Sequence, residues 1–198
     1  MRVKLRAVRD ALPAAEAAQA GQGLADKALA FLLEKALDPA ATPVALYAAL
    51  PGELDCAPLL AALAARGFPT LLPVAGVKAT PLTFRLWRPG DALAPGRFGL
   101  REPVASARDM APKILFLPLL GFDAEGTRLG FGGGYYDATL AHLRGSGFPV
   151  AAGGLAFSCQ QVAKVPREKH DEGLDFVVTE KEVLTFTDPA CVFSSSAT

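Results

Sequence analysis

The chain has 198 residues, 51% of them hydrophobic and 20% charged, which suits one packed domain and excludes a disordered chain. Twenty basic residues balance twenty acidic ones, so there is no electrostatic footprint for nucleic acid or an anionic membrane. An anionic ligand must then be held by local geometry rather than by overall field.

Residues 2–37 read as helix with a break near Pro13, and Leu24, Ala28, Phe31 and Leu32 recur at i, i+4, i+7 and i+8 as one apolar stripe. Asp38, Pro39 and Pro43 end it. Residues 44–50 form a short apolar strand stopped by Pro51 and Gly52. Asp55 caps a helix running to Ala65, Gly67 terminates that helix, and Phe68-Pro69 leads into a strand over 70–74. Residues 75–112 are turn-rich (Pro81, Pro89-Gly90, Pro95-Gly96, Pro103) with one alternating segment over 82–87.

Downstream, residues 113–117 read as a buried strand, and Tyr135 to Arg144 as a helix with Leu140 and Leu143 on its apolar face. Gly145 and Gly147 break that helix, Phe148-Pro149 follows, and residues 150–157 make another strand. The last strand is expected over 176–179, with a frayed tail over 194–198. This repeated helix, stop and strand grammar predicts one α/β domain over 1–198. Its expected form is a three-layer α/β/α architecture with a mainly parallel central sheet and a small β-rich excursion at residues 75–112.

Cys56, Cys159 and Cys191 are widely spaced and odd in number, with neither a CxxC pair nor zinc spacing, so structural thiols in a reduced compartment are expected. No stretch approaches the ~18 apolar residues of a spanning helix, and no targeting segment is visible. A cytoplasmic, monomeric protein without a membrane or nucleic-acid partner is the expectation.

The richest segment is GFDAEGTRLGFGGGYYD, from Gly121 to Asp137, which follows the strand over 113–117 and opens the next helix. Gly130, Gly132, Gly133 and Gly134 fall within five positions. Each glycine costs up to ~1 kcal/mol of conformational entropy against alanine, which favours close approach of backbone to a ligand over a plain turn. Unpaired N–H groups and the helix dipole suit phosphate there. It is neither a Walker A loop, lacking Gly-Lys-Ser/Thr, nor a dinucleotide fingerprint, since Tyr135 stands where the third glycine belongs.

Arg128 is either a solvated surface charge or a fork reaching phosphate. In both cases Arg128→Ala would leave thermal stability near that of the parent. Asp137 is either a first-turn acid complementing the helix dipole or a ligand to a metal bridging phosphates. Tyr135 and Tyr136 are core aromatics or contacts to a flat ligand. No Ser-His-Asp or Cys-His arrangement is present.

The run from Arg128 to Asp137, RLGFGGGYYD, resembles the RLGxGxGYYD signature of the 5-formyltetrahydrofolate cyclo-ligase family. Leu12-Pro13, Pro51-Gly52-Glu53-Leu54-Asp55, Phe98-Gly99-Leu100-Arg101-Glu102-Pro103, Leu117 to Asp123 and His170-Asp171-Glu172 follow in the family's order. The resemblance implies ATP- and Mg²⁺-dependent conversion of a reduced folate, 5-formyltetrahydrofolate, to 5,10-methenyltetrahydrofolate with release of ADP and phosphate. A divergent, non-catalytic folate or nucleotide binder of the same fold is the alternative.

By the same resemblance, Arg128 and Tyr136 are catalytic. Arg2, Lys4, Arg128, Gly130, Phe131, Gly132, Gly133, Gly134, Tyr135 and Tyr136 bind ATP. Glu53, Phe131, Gly132, Gly133, Gly134 and Tyr135 face the folate, and Asp137 and Asp171 hold the metal. Phe84, Trp87 and Phe131 are candidate walls for the pterin. The family commonly opens Lys-x-x-Leu-Arg; counting back from Arg9–Pro13 places Arg2 on that arginine and the lysine before Met1. Either the start is shortened or Lys4 substitutes, which makes ATP affinity the property most exposed. Some members carry lysine where Gly133 stands.

Overall fold

In the computed structural model, which describes residues 1–188 and Phe193, the N-terminal helical region divides at Leu12-Pro13. Helix α1 spans Arg2–Asp10 and α2 spans Ala14–Leu33. Pro13 sits at the N-cap of α2, where its missing N–H removes nothing a helix would use. The apolar stripe of α2 is buried at Leu24, Ala28, Phe31 and Leu32, as its spacing predicts. The helix stops four residues earlier than expected, because Ala36 adopts a left-handed conformation (φ 51°) that turns the chain toward Asp38-Pro39.

Strand β1 (Val44–Ala45) is followed by helix α3 (Ala57–Ala65), β2 (Thr70–Val74), β3 (Thr83–Leu86), β4 (Leu93–Pro95) and β5 (Arg101–Pro103). Then come β6 (Ile114–Pro118), β7 (Gly121–Phe122), β8 (Arg128–Leu129), helix α4 (Tyr135–Gly145), β9 (Ala151–Leu155), β10 (Phe176–Val178) and β11 (Val183–Thr185). Seven strands form the main sheet in the order β11-β10-β9-β6-β1-β2-β3. Its five inner strands are parallel, and β3 and β11 close the edges antiparallel.

The predicted mainly parallel sheet is therefore observed, with β11 as an addition after the strand expected to be last. The β-rich excursion supplies edge strand β3 and the separate β4–β5 pair. Strand pairing at β1 is shorter than residues 44–50, for a local reason. Beyond Leu46 the backbone turns to other partners: the Tyr47 carbonyl accepts from Cys56 Sγ, and the Leu50 N–H donates to Glu53 Oε2.

The sheet is packed on both faces. Ile114 and Phe116 of β6 join the cluster of α2 and α3, whereas Leu115 and Leu117 join the one containing Leu140 of α4. That alternation is the period of a strand buried on both sides. Gly153 in β9 shows how tightly the first layer closes: a Cβ there would lie 2.4 Å from the Phe176 ring. A third cluster, Leu5, Leu120, Leu129 and Val165, seats α1 against the β7–β8 ribbon. Cys56 is buried and Cys159 exposed; Cys191 and the expected frayed tail lie outside the described residues. Among the described residues no helix is long and apolar enough to cross a membrane.

Candidate active site

Strand order reverses around β1 and β6: the chain runs from β1 outward to β2 on one side and from β6 outward to β9 and β10 on the other. Ligands of open α/β sheets bind beyond the carboxyl ends of strands at such a point. Here the end of β1 leads to the turn Pro51-Gly52-Glu53, and the end of β6 leads to the β7–β8 ribbon and the glycine loop. Two distant stretches of sequence are thereby brought to one rim.

The glycine loop keeps the left-handed conformations that its composition requires. Gly132 has φ 88° and Gly134, the N-cap of α4, has φ 72°. No side chain caps α4, so the backbone at its start is left for other acceptors. Arg2 reaches across from α1 and donates from Nε to the Gly130 carbonyl at 3.0 Å. Lys4 is exposed and makes no hydrogen bond or ion pair among the described residues, so only Arg2 of the two N-terminal candidates is drawn to the loop by a contact.

Arg128 departs from the expectation of a free surface fork. Its side chain is only 5% exposed, because strand β8 turns it inward toward the start of α4. Nη2 donates to Asp137 Oδ1 at 2.6 Å, and Nη1 donates to the Glu172 carbonyl. Burial lowers the Arg128 pKa, and the Asp137 carboxylate opposes that shift, followed by Asp171. Removing one partner of an enclosed pair leaves the other uncompensated, so this geometry argues for a loss of thermal stability in Arg128→Ala where the sequence alone suggests none.

Asp137 Oδ1 also accepts the Glu172 N–H at 3.2 Å, which places Asp171 one residue from that contact. Asp171 is half-buried, and its Oδ2 accepts the Glu168 N–H. Arg144 of α4 holds the same segment from the other side, donating to Glu172 Oε2 at 2.7 Å and to Asp175 Oδ2 at 3.0 Å. By sequence Arg144 marks only a helix end and Glu172 only part of the His170-Asp171-Glu172 match, neither a site residue. Each looks like an ordinary surface charge until the fold joins helix and loop.

Glu53 is half-buried beside Tyr47, Cys56 and Tyr136. Desolvation raises its pKa, while the Leu50 N–H and the charge of Arg9 act to lower it. Burial likewise pushes the Cys56 thiol up to about 12 and the Tyr136 phenol well above its ordinary value, so both stay protonated. Arg9, 4% exposed, stacks over Phe131 with its guanidinium carbon 5.6 Å from the ring centre. Its Nη1 has no hydrogen-bond partner, an omission that costs about 1–3 kcal/mol in a buried group.

Tyr135 and Tyr136 line a cleft with Ala48, Pro73, Ala75, Leu82, Phe98, Leu100, Arg101 and Glu102. Phe98 is the unexpected wall. It is 64% exposed, adopts φ 60° despite its side chain, and meets Tyr135 edge-to-face at 5.9 Å. A strained aromatic held open at a cleft is an outlier that points to use rather than packing. By contrast, Phe84 is buried in the core and Trp87 packs against it, so those two aromatics serve the fold. Phe98 sits in the Phe98–Pro103 stretch of the family resemblance, but nothing in its own spacing distinguishes it from Phe84.

A model of the 5-formyltetrahydrofolate cyclo-ligase family matches residues 1–180. A 5-formyltetrahydrofolate cyclo-ligase of Haemophilus influenzae is 34% identical over 177 residues, spanning 86% of this chain and 91% of the relative. One of the same name from Escherichia coli K12 is 37% identical over 145 residues, 71% of this chain and 79% of the relative. The NMR structure of Aquifex aeolicus 5,10-methenyltetrahydrofolate synthetase has a TM-score of 0.76 at 28% identity, covering 94% of this chain and 91% of that one. A 5,10-methenyltetrahydrofolate synthetase from Mycoplasma pneumoniae shares the fold, with a TM-score of 0.70 at 22% identity over 90% of this chain and 96% of that one. With a family model over most of its length and relatives above 30% identity, the chain belongs to the 5-formyltetrahydrofolate cyclo-ligase family.

Proposed function

We propose that the protein closes 5-formyltetrahydrofolate to 5,10-methenyltetrahydrofolate at the expense of ATP, releasing ADP and phosphate. The observation that carries this reading is the junction at α4: an anion-suited glycine loop and a cleft with aromatic walls share Tyr135 and Tyr136. A formyl amide is a poor electrophile, and ring closure must expel its oxygen. ATP supplies the phosphoryl group that converts that oxygen into a leaving group, after which N10 attacks the activated carbon.

The chain's part in this chemistry is positioning and charge neutralisation rather than nucleophilic catalysis. The backbone from Gly130 to Gly134, braced by Arg2, offers N–H groups to the phosphates. Arg128 offers a fixed positive charge at the same place. Glu53 accepts paired N–H groups of the pterin edge, while Phe98 and Tyr135 wall the flat ring. Tyr136, kept protonated by burial, donates its hydroxyl toward the reacting formyl oxygen.

Asp137 and Asp171 suit Mg²⁺. Oδ2 of Asp137 has no hydrogen-bond partner among the described residues, and among those residues no group of three or more His, Cys, Asp or Glu side chains could hold a metal ion. The two carboxylates alone would leave most positions of such a hard cation to water and phosphate oxygens. When bound, it would neutralise phosphate charge. Asp137→Asn is expected to raise the Mg²⁺ concentration for half-maximal rate by roughly tenfold, and an unchanged metal titration would remove it from the ligand set.

The direct test is to incubate the protein with 5-formyltetrahydrofolate, Mg²⁺ and ATP and to follow methenyltetrahydrofolate absorbance. ATP-dependent product is expected; its absence from a folded sample, with ligands still raising thermal stability, would replace catalysis by simple binding. Within that assay, Phe98→Ala should raise the folate KM roughly tenfold and leave the ATP KM unchanged. Equal effects on both substrates would place Phe98 outside the folate wall.

A further inference from the structure

Arg9 is the buried cation that this mechanism does not use, and among the described residues its Nη1 is the buried side-chain nitrogen or oxygen without a partner. Its other edge is occupied: Nε and Nη2 both donate to Asp10 Oδ1, at 3.0 and 2.8 Å. The guanidinium is wedged between two parts of the site. Phe131 of the glycine loop lies on one side of it, and Gly52 lies so close that a Cβ there would stand 2.8 Å from Nη2. The next residue, Glu53, spends Oε2 on the Leu50 N–H, and its Oε1 has no hydrogen-bond partner among the described residues.

We propose that Arg9 is a positioning residue for the folate substrate, acting through Glu53. It holds that carboxylate charged across a gap too wide for an ion pair, from a guanidinium packed on the preceding Gly52, with the unpartnered Nη1 free to engage Glu53 when substrate draws the turn in. The need follows from the surroundings. Glu53 loses hydration to burial within electrostatic reach of Tyr47, Cys56 and Tyr136, Asp55 lies two residues on and Asp10 packs on Gly52; after the Leu50 N–H, Arg9 is the charge that acts against protonation. Asp10 is 46% exposed at its side chain, so water screens its cancelling charge more than that of buried Arg9. The ligand in this inference rests on the proposed function, whereas the coupling of Arg9 to Glu53 does not.

The test combines two readouts in the full chain. The first is the carbon-13 NMR titration of the Glu53 carboxyl without ligands; the second is the pH profile of kcat and of both KM values. Arg9→Met is expected to move the Glu53 titration and the acidic limb of kcat/KM to higher pH. The folate KM should rise roughly tenfold, mid-range for coupled neighbours, with kcat and ATP KM within about twofold. In a Glu53→Gln background the same substitution should change little, because there is no carboxylate left to hold.

An unmoved titration, or a full KM rise that persists in the Glu53→Gln background, overturns the proposal. Should Arg9→Met not fold, Arg9→Lys carries the test: it keeps the charge without the fork, so a smaller KM rise that vanishes with Glu53→Gln is expected, and a persisting rise overturns it. A protein without turnover whose Glu53 titration still responds to Arg9 refutes the proposed function and supports the coupling. Turnover with an unresponsive titration does the reverse.

Discussion

Arg128→Ala is expected to lose activity and stability together. The side chain is enclosed, and its two ends tie β8 to Asp137 at the start of α4 and to the Glu172 carbonyl. Truncation leaves Asp137 without its cation while its side chain is 29% exposed, partly open to water. The cost falls between the exposed and fully buried limits for broken ion pairs, about 2–3 kcal/mol. For a domain of this size that corresponds to a Tm lower by roughly 4–12 °C. The rate should fall by roughly 100-fold or more, the usual effect of removing one preorganised donor to developing charge. Parallel calorimetry and single-turnover kinetics check both parts. An unchanged Tm would mean that the pair contributes nothing to the fold. Parent-level turnover with a lowered Tm would make Arg128 structural alone. Arg128→Lys should fall between, because a point charge cannot serve Asp137 and the Glu172 carbonyl as a planar fork does.

The contrast between an arginine read as free to reach phosphate and one enclosed against Asp137 shows where the sequence is legible. Local chemistry was readable: Pro13 divides the first helices, Thr70–Val74 is strand throughout, and the glycine cluster opens α4. These outcomes depend on residues near one another in the chain. The interior strand β6 was readable too, since an uninterrupted apolar run has few places to go except between two layers. Short pairings were not. Residues 121–129 contain a two-stranded ribbon, and Val183–Thr185 adds an edge, but neither has a run long enough to show a period.

The candidate site divides in the same way. Its glycines and Asp137 lie in one contiguous segment, so their association needed no fold. The Arg2–Gly130 bond spans 128 positions and the Arg144–Glu172 bond 28, and neither has a local signature. Phe98 and Arg9 were missed for opposite reasons. An aromatic in a turn-rich stretch reads as packing, and an arginine on an amphipathic helix reads as solvated; only tertiary placement exposes the first and buries the second.

Glu53→Gln is expected to make the ligand-free protein more stable and the enzyme worse. Desolvation raises the Glu53 pKa in the folded state above the ~4.3 of an unfolded glutamate, with Leu50 and Arg9 only partly offsetting it. A raised folded-state pKa contributes stability below the unfolded value and loses it as pH rises through the folded value. At neutral pH the ionised carboxylate is therefore a strain on the fold, tolerated at the site edge. Glutamine keeps an acceptor for the Leu50 N–H and removes the charge, so the variant should melt above the parent at pH 7. The difference should shrink as pH falls toward 4, where the parent carboxyl is protonated as well. Against the pterin edge the amide loses one acceptor and presents a donor to donors. The expected loss is roughly 10- to 100-fold in kcat/KM, carried mainly by the folate KM. Thermal melts from pH 4 to 8, with and without 5-formyltetrahydrofolate, resolve the two effects: the variant should start higher and gain less from ligand. A melting difference that does not depend on pH would show that the stabilisation comes from packing rather than charge. Undiminished ligand stabilisation in the variant would take Glu53 out of the folate site. If both expectations hold, the carboxylate is retained for the substrate it binds, at the expense of the fold that carries it.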